Sequence, residues 1–126
     1  MNDTAQRYMV EGFLTTAADL ARPDGTGPHP RITRAARAKA AEHVRRLVDA
    51  AGWPVLEAVA ASPEYATRHP DYPTAWHGIG SDLALDATGA GAGFADRDAA
   101  HLSDIISADW RAYHTEPHAW RGWLYL

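Results

Sequence analysis

Apolar residues recur at helical spacing through the first half of the chain. Tyr8, Met9, Phe13, Ala17 and Leu20 form one stripe and predict a helix over 3–21, with Asp3 or Thr4 as its N-cap. Gly12 falls within that helix, where glycine costs about 1 kcal/mol against alanine, and predicts a close helix contact. Residues 21–30 are dense in proline and glycine and read as a loop. Ile32, Ala36, Ala40, Val44, Leu47, Val48 and Ala51 predict a second, longer helix over 31–51, stopped by Gly52. Pro54 suits the opening of a third helix over 54–61, because the N–H it lacks has no partner there anyway.

Beyond residue 61 the helical period fades. Residues 62–81 contain Pro63, Pro70 and Pro73 and read as a long irregular segment, anchored on the core by Tyr65, Tyr72 and Trp76. Residues 82–88 and 92–96 read as two strands joined by a glycine turn, with Gly89, Gly91 and Gly93 at every second position. By period-two alternation Asp82, Asp86 and Thr88 then share one strand face. Helical spacing returns from Ala99 to Tyr113, where Leu102, Ile105, Ile106, Trp110 and Tyr113 fall on one face behind Asp98 as N-cap. Pro117 breaks the pattern, and Trp120 to Leu126 reads as a last strand. The order predicts an α+β fold: a small three-stranded antiparallel sheet packed by three to four helices.

Composition narrows this picture. A chain of 126 residues is expected to form a single globular domain over 1–126. The absence of cysteine removes disulfides, thiolate zinc sites and cysteine nucleophiles. No apolar run approaches the roughly 18 residues of a membrane span. The N-terminus shows no signal-peptide pattern, so a cytoplasmic protein is expected. Eleven arginines against one lysine are the usage of a GC-rich coding genome. Net charge is −4, unevenly spread: residues 1–62 carry eight basic and seven acidic side chains, residues 63–126 four and nine. The second half therefore repels phosphates and attracts a basic protein surface.

Candidate chemistry is sparse. His114 and His118 have i, i+4 spacing, but Pro117 lies between them and interrupts the helix that a metal pair needs. Asp82, Asp86, Asp96 and Asp98 supply carboxylates for a divalent ion, yet helix capping and pairing with Arg97 account for them more simply, so no metal or cofactor is expected. The Gly89–Gly93 run lacks the strand-to-helix context and the Lys-Ser/Thr of a phosphate loop. No serine sits in a nucleophile elbow. Helix 31–51 carries Arg34, Arg37 and Arg45, which would track phosphates if the protein bound nucleic acid, but Glu42 and Asp49 interrupt the basic run.

From Gly80 to Arg97 the chain resembles a motif of small phage- and plasmid-borne proteins of unassigned activity, Gly-His-Asp-Phe-Trp-Leu-Thr-Arg-Asn-Gly-His-Gly-Ala-Gly-Phe-Trp-Asp-Arg. It keeps Gly80, Asp82, Leu85, Gly89, Gly91, Ala92, Gly93, Phe94, Asp96 and Arg97. Both motif histidines are replaced, by Ser81 and Ala90, and both tryptophans, by Ala84 and Ala95. What persists is backbone geometry and three charged groups, the pattern of a preserved fold and not of a reaction centre. The layout around the motif is also similar, with an N-terminal helix, a helical middle, a helix after the motif and a short aromatic C-terminal strand. The resemblance implies a non-enzymatic accessory protein of a phage or mobile element that binds a host or defence macromolecule, as an anti-CRISPR or antirestriction inhibitor does. An acidic DNA-mimicking face built on Asp82, Asp86, Asp96 and Asp98, with Tyr72 and Trp76 as aromatic anchors, is the expected contact. Gly80, Gly89, Gly91, Gly93, Phe94 and Arg97 are the expected structural motif. The rivals are nucleic-acid binding through helix 31–51 and a metal-dependent enzyme with carboxylate ligands. A monomer and a homodimer, paired through the aromatic last strand, are both open.

Overall fold

Two helices that touch backbone to backbone set the frame. The computed structural model describes residues 2–22, 25–66, 72–91, 93–97 and 99–126. Helix α1 (Asn2–Leu20) packs on α5 (Ala75–Thr88), the most extensive contact in the fold. At their crossing a Cβ on Gly12 would lie 2.0 Å from the His77 carbonyl oxygen, and one on Gly80 would lie 1.9 Å from that of Met9. Only hydrogen fits at either place, which is the close contact that Gly12 predicts. Beside the crossing the Thr16 hydroxyl meets the Ser81 hydroxyl at 2.6 Å and the Tyr72 hydroxyl at 2.8 Å, so these buried polar groups satisfy one another.

Helix α2 (Arg34–Ala51) buries Ala36, Ala40, Val44 and Leu47, all on the predicted stripe, and ends at Gly52 with φ 84°. Helix α3 (Trp53–Ala60) follows with Pro54 in its first turn. Next come the single turn α4 (Pro63–Ala66), then α5, a 3₁₀ turn over Phe94–Arg97, α6 (Ala100–Ala108) and the single turn α7 (Trp110–Tyr113). One apolar cluster runs through these elements, with Met9, Phe13, Leu47, Leu83, Phe94 and Ile106 at its centre.

The sheet is small and joins the segment just before α2 to the C-terminal residues. Strands β1 (Arg31–Ile32), β2 (His118–Trp120) and β3 (Trp123–Tyr125) take the order β1-β3-β2, with β3 parallel to β1 and antiparallel to β2. Arg121 and Gly122 join β2 to β3 with φ 51° and 83°, the positive pair of a type I′ hairpin turn. Thr33 ties sheet to helix: its Oγ1 accepts from the Ala36 amide at 3.0 Å, capping α2, and donates to the Leu124 carbonyl at 2.7 Å. The Arg31 amide donates to the Gly122 carbonyl at 2.7 Å.

The α+β class with three strands and a helical majority holds among the described residues, and five features of the prediction change. The sheet is mixed and not antiparallel, and the described residues form seven α-helical segments where three to four are predicted. Residues 82–88 are helix, not strand, because α5 starts at the Thr74 cap and runs through Gly78 and Gly80. Residues 94–97 are a 3₁₀ turn, and the hairpin seen among the described residues is C-terminal. Asp3 and Thr4 sit inside α1, which starts at Asn2. The predicted Asp98 cap lies outside the described residues. Ala99 occupies the N-cap position of α6 and makes no side-chain cap bond.

Candidate functional site

Asp82 is the centre of the motif and its carboxylate points inward. It stands on α5 with only 2% of its surface exposed. The Tyr65 hydroxyl donates to Oδ2, and the Arg97 guanidinium meets the same oxygen, Nε to Oδ2, at 3.1 Å. Arg97 also lies 5.6 Å over the Tyr65 ring. Burial pushes the Asp82 carboxyl up, while the Tyr65 hydrogen bond and the Arg97 charge pull it down. Burial and the neighbouring Asp82 push the Tyr65 phenol up, so it stays a donor.

The glycines bring Arg97 to this carboxylate. Gly89 caps α5 in the left-handed conformation, φ 69° and ψ 15°, and turns the chain back. Gly93 passes over α5 so closely that a Cβ would lie 2.4 Å from the Asp82 carbonyl oxygen. Phe94 is fully buried, and Arg97 follows one 3₁₀ turn later. Gly91 is exposed and makes no comparable approach. Asp82, Gly93, Phe94 and Arg97 thus form a lock that holds the chain reversal on α5, while Gly80 serves the crossing with α1.

This geometry disperses the predicted acidic face. Asp82 is interior and out of a partner's reach. Asp86 lies one turn further along α5, half-buried, and accepts from the Ser103 hydroxyl at 2.9 Å. Asp96 is exposed, and Asp98 lies outside the described residues. Tyr72 is half-buried against Thr16, and Trp76 is half-buried edge-on to Trp53 at 5.9 Å. On α2, Arg34 is exposed, Arg37 is paired with Glu11, and Arg45 is 4.0 Å from Asp49. Two of the three predicted phosphate-tracking charges therefore already face a carboxylate. Among the described residues, no three or more histidine, aspartate and glutamate side chains group in a way that could hold a metal ion. No helix among them is long and apolar enough to cross a membrane.

Exposed aromatic rings gather on the C-terminal sheet. Leu124 of β3 is fully buried and pairs with Ala119 in register. Its neighbours alternate to the other face: Trp123 opposite Trp120 and Tyr125 opposite His118. Trp120 is 55% exposed and Trp123 40%, values high enough to leave most of an indole face to solvent. His118 and Tyr125 stack with centroids 5.5 Å apart, and a groove of about 430 Å³ runs along β2 between His118, Ala119, Trp120 and Tyr125. Two arginines frame these rings. Arg31 lies 5.7 Å over Trp123, and Arg121 lies 4.5 Å over Trp120. Arg121 holds its position from a left-handed backbone, a conformation that costs a side chain of this size energy.

No protein-family model matches the chain, and no match is found among curated proteins or solved structures.

Sequence reasoning placed a strand at 120–126 but missed the face. The signal was Trp120-Arg121-Gly122-Trp123, a two-residue turn flanked by aromatics at alternating positions. It also missed His43, which falls one residue before Val44 on the buried stripe of α2. His43 is 2% exposed, between the rings of Phe13 and Tyr113. With the Thr115 hydroxyl donating to the Tyr113 carbonyl, the tautomer that fits is the one in which His43 Nε2 donates to Thr115, at 2.6 Å. Nδ1 is then a bare lone pair with no partner. Burial, helped by Lys39, lowers the imidazole to about 4.

Proposed function

We propose that this protein is a non-enzymatic accessory protein of a phage or mobile element, and that it acts by binding another macromolecule through the open face of its C-terminal sheet. One observation carries the reading: Trp120, Trp123, Tyr125 and His118 share the face of the sheet turned away from Leu124, framed by two arginines. Tryptophan, tyrosine and arginine are the side chains that dominate binding energy when a partner buries them. A counter-defence inhibitor remains the concrete biological setting, on the strength of the motif resemblance. Its contact moves from the dispersed aspartates to the aromatic face.

The test is affinity capture from a bacterial lysate with the intact chain and with the Trp120→Ala/Trp123→Ala variant. A macromolecule retained at stoichiometric level by the first and lost by the second is the expected result. Equal retention by both would place the contact elsewhere.

A further inference from the structure

Resting on that reading, we infer that the occupant of the aromatic face is a single-stranded nucleic acid, its bases stacked on Trp120, Trp123 and Tyr125 and its phosphates met by Arg31 and Arg121.

Charge complementarity selects this occupant. The chain carries −4 overall, yet the described strands and hairpin turn hold two arginines and no carboxylate. A cationic patch on an acidic protein marks where an anionic partner docks. The rings supply the second half of the chemistry. Unpaired bases present flat faces that stack on indole and phenol rings, whereas in a duplex those faces are already stacked on one another. The third element is the hairpin tip. Arg121 occupies a left-handed position that glycine, asparagine or aspartate would fill with less strain, and its guanidinium stands over Trp120. From there it can reach a phosphate while a base lies on the neighbouring ring. The two cations are also uncommitted to carboxylates: Arg31 and Arg121 touch rings and are in none of the ion pairs seen among the described residues. Arg37, Arg45 and Arg97, by contrast, each face a carboxylate.

Two arginines meeting two phosphates of a single strand give a slope of log K against log salt of about −1.4. Affinity should thus fall roughly sevenfold between 50 and 200 mM salt, far less than for a protein held by phosphate contacts alone.

The experiment measures binding of fluorescein-labelled dT12 and rU12, and of a 12-base-pair duplex, by anisotropy at several salt concentrations, with intrinsic tryptophan fluorescence as a second readout. The expected result is binding of one or both single strands with quenching, at least about tenfold weaker binding of the duplex, and the shallow salt slope. Trp120→Ala/Trp123→Ala should weaken binding about tenfold or more and remove the quenching. Arg121→Asn, which keeps a residue suited to the turn, should weaken binding a few-fold and reduce the slope by about 0.7. Circular dichroism melts of both variants establish that they are folded. Duplex binding equal to single-strand binding, or dT12 and rU12 binding unchanged in the folded tryptophan variant, would overturn the inference. Absence of oligonucleotide binding together with a lysate protein lost on Trp120→Ala/Trp123→Ala would overturn it while the wider reading stands. Absence of oligonucleotide binding with lysate capture unaffected by that variant would overturn both.

Discussion

At the scale of single residues, two buried titratable groups pull stability in opposite directions as pH falls. His43 is neutral in the folded state at about 4 against an ordinary 6.5, because burial between Phe13 and Tyr113 penalises the cation and Nδ1 offers a proton no acceptor. The unfolded chain takes up that proton first, so the stability is complete above pH 6.5 and is lost as pH drops toward 4, by up to about 1.4 kcal/mol per pH unit. His77, also lowered by burial, adds a smaller effect of the same sign. Asp82 works the other way, since its raised value means that the folded state keeps the proton longer and the cost of the charged form is relieved on acidification. The expected outcome is a Tm that falls below pH 6.5 and a shallower fall in His43→Gln, which still offers Thr115 a donor but does not titrate. An unchanged slope in the variant would assign the titration to another group. The Asp82 carboxylate makes a second prediction. Removing a partner from a fully buried ion pair costs about 3–5 kcal/mol. Arg97 is 49% exposed, so water screens the pair and replaces part of what is lost. Arg97→Ala should therefore cost about 1–2 kcal/mol in chemical denaturation. In an Asp82→Asn background, where no charge is left stranded, it should cost less than half as much.

At the scale of elements, the α1–α5 crossing tests how the helices hold each other. Alanine has the better helix propensity, by about 1 kcal/mol, and on that ground Gly12→Ala and Gly80→Ala would stabilise. The crossing decides otherwise, because each methyl would land on a backbone carbonyl that cannot rotate away. Each substitution is expected to cost about 2–3 kcal/mol net, the upper range for overpacking. The double variant should cost clearly less than the sum, since one methyl already moves the helices apart and relieves the second. Additive costs in thermal melts would mean that the two contacts are independent. The same crossing explains what was legible in the sequence. Gly12 announced it because glycine inside an otherwise regular stripe has no local reason. Pro63, Pro70 and Pro73 send the opposite signal, so residues 62–81 read as irregular and the rest of α5 as strand. The alternation Asp82-Leu83-Ala84-Leu85-Asp86 fits a strand, but leucine and alanine favour helix and the Thr74 cap decides the start. Strand β1 was not legible at all. Arg31 and Ile32 become strand through pairing with Trp123 and Leu124, a contact set by residues some ninety positions away.

At the scale of the whole molecule, the C-terminal sheet separates stability from recognition by one residue of alternation. Leu124 is fully buried, so Leu124→Ala should cost about 2–5 kcal/mol, whereas Trp123→Ala should cost much less and act on binding. The candidate site was legible as composition and not as placement. The arginines and tryptophans are visible in the sequence, but only the register of β2 on β3, and of β3 on β1, puts them on one surface. Asp82 shows the converse: it read as surface charge until Tyr65 and Arg97 were seen around it. Arg121 lets the two properties be measured apart. Its left-handed backbone disfavours most residues with a Cβ, by roughly 1 kcal/mol, while asparagine, with its short polar side chain, tolerates that conformation. Both Arg121→Asn and Arg121→Ala delete the guanidinium, and with it the contact over Trp120. The asparagine variant should therefore be more stable than the alanine variant by about 0.5–1 kcal/mol, read as a difference in denaturation midpoint at unchanged slope. If the charge is what the partner meets, the two variants lose affinity equally despite that difference. If affinity instead follows stability, the hairpin acts by holding its shape, and the guanidinium is not what the partner meets.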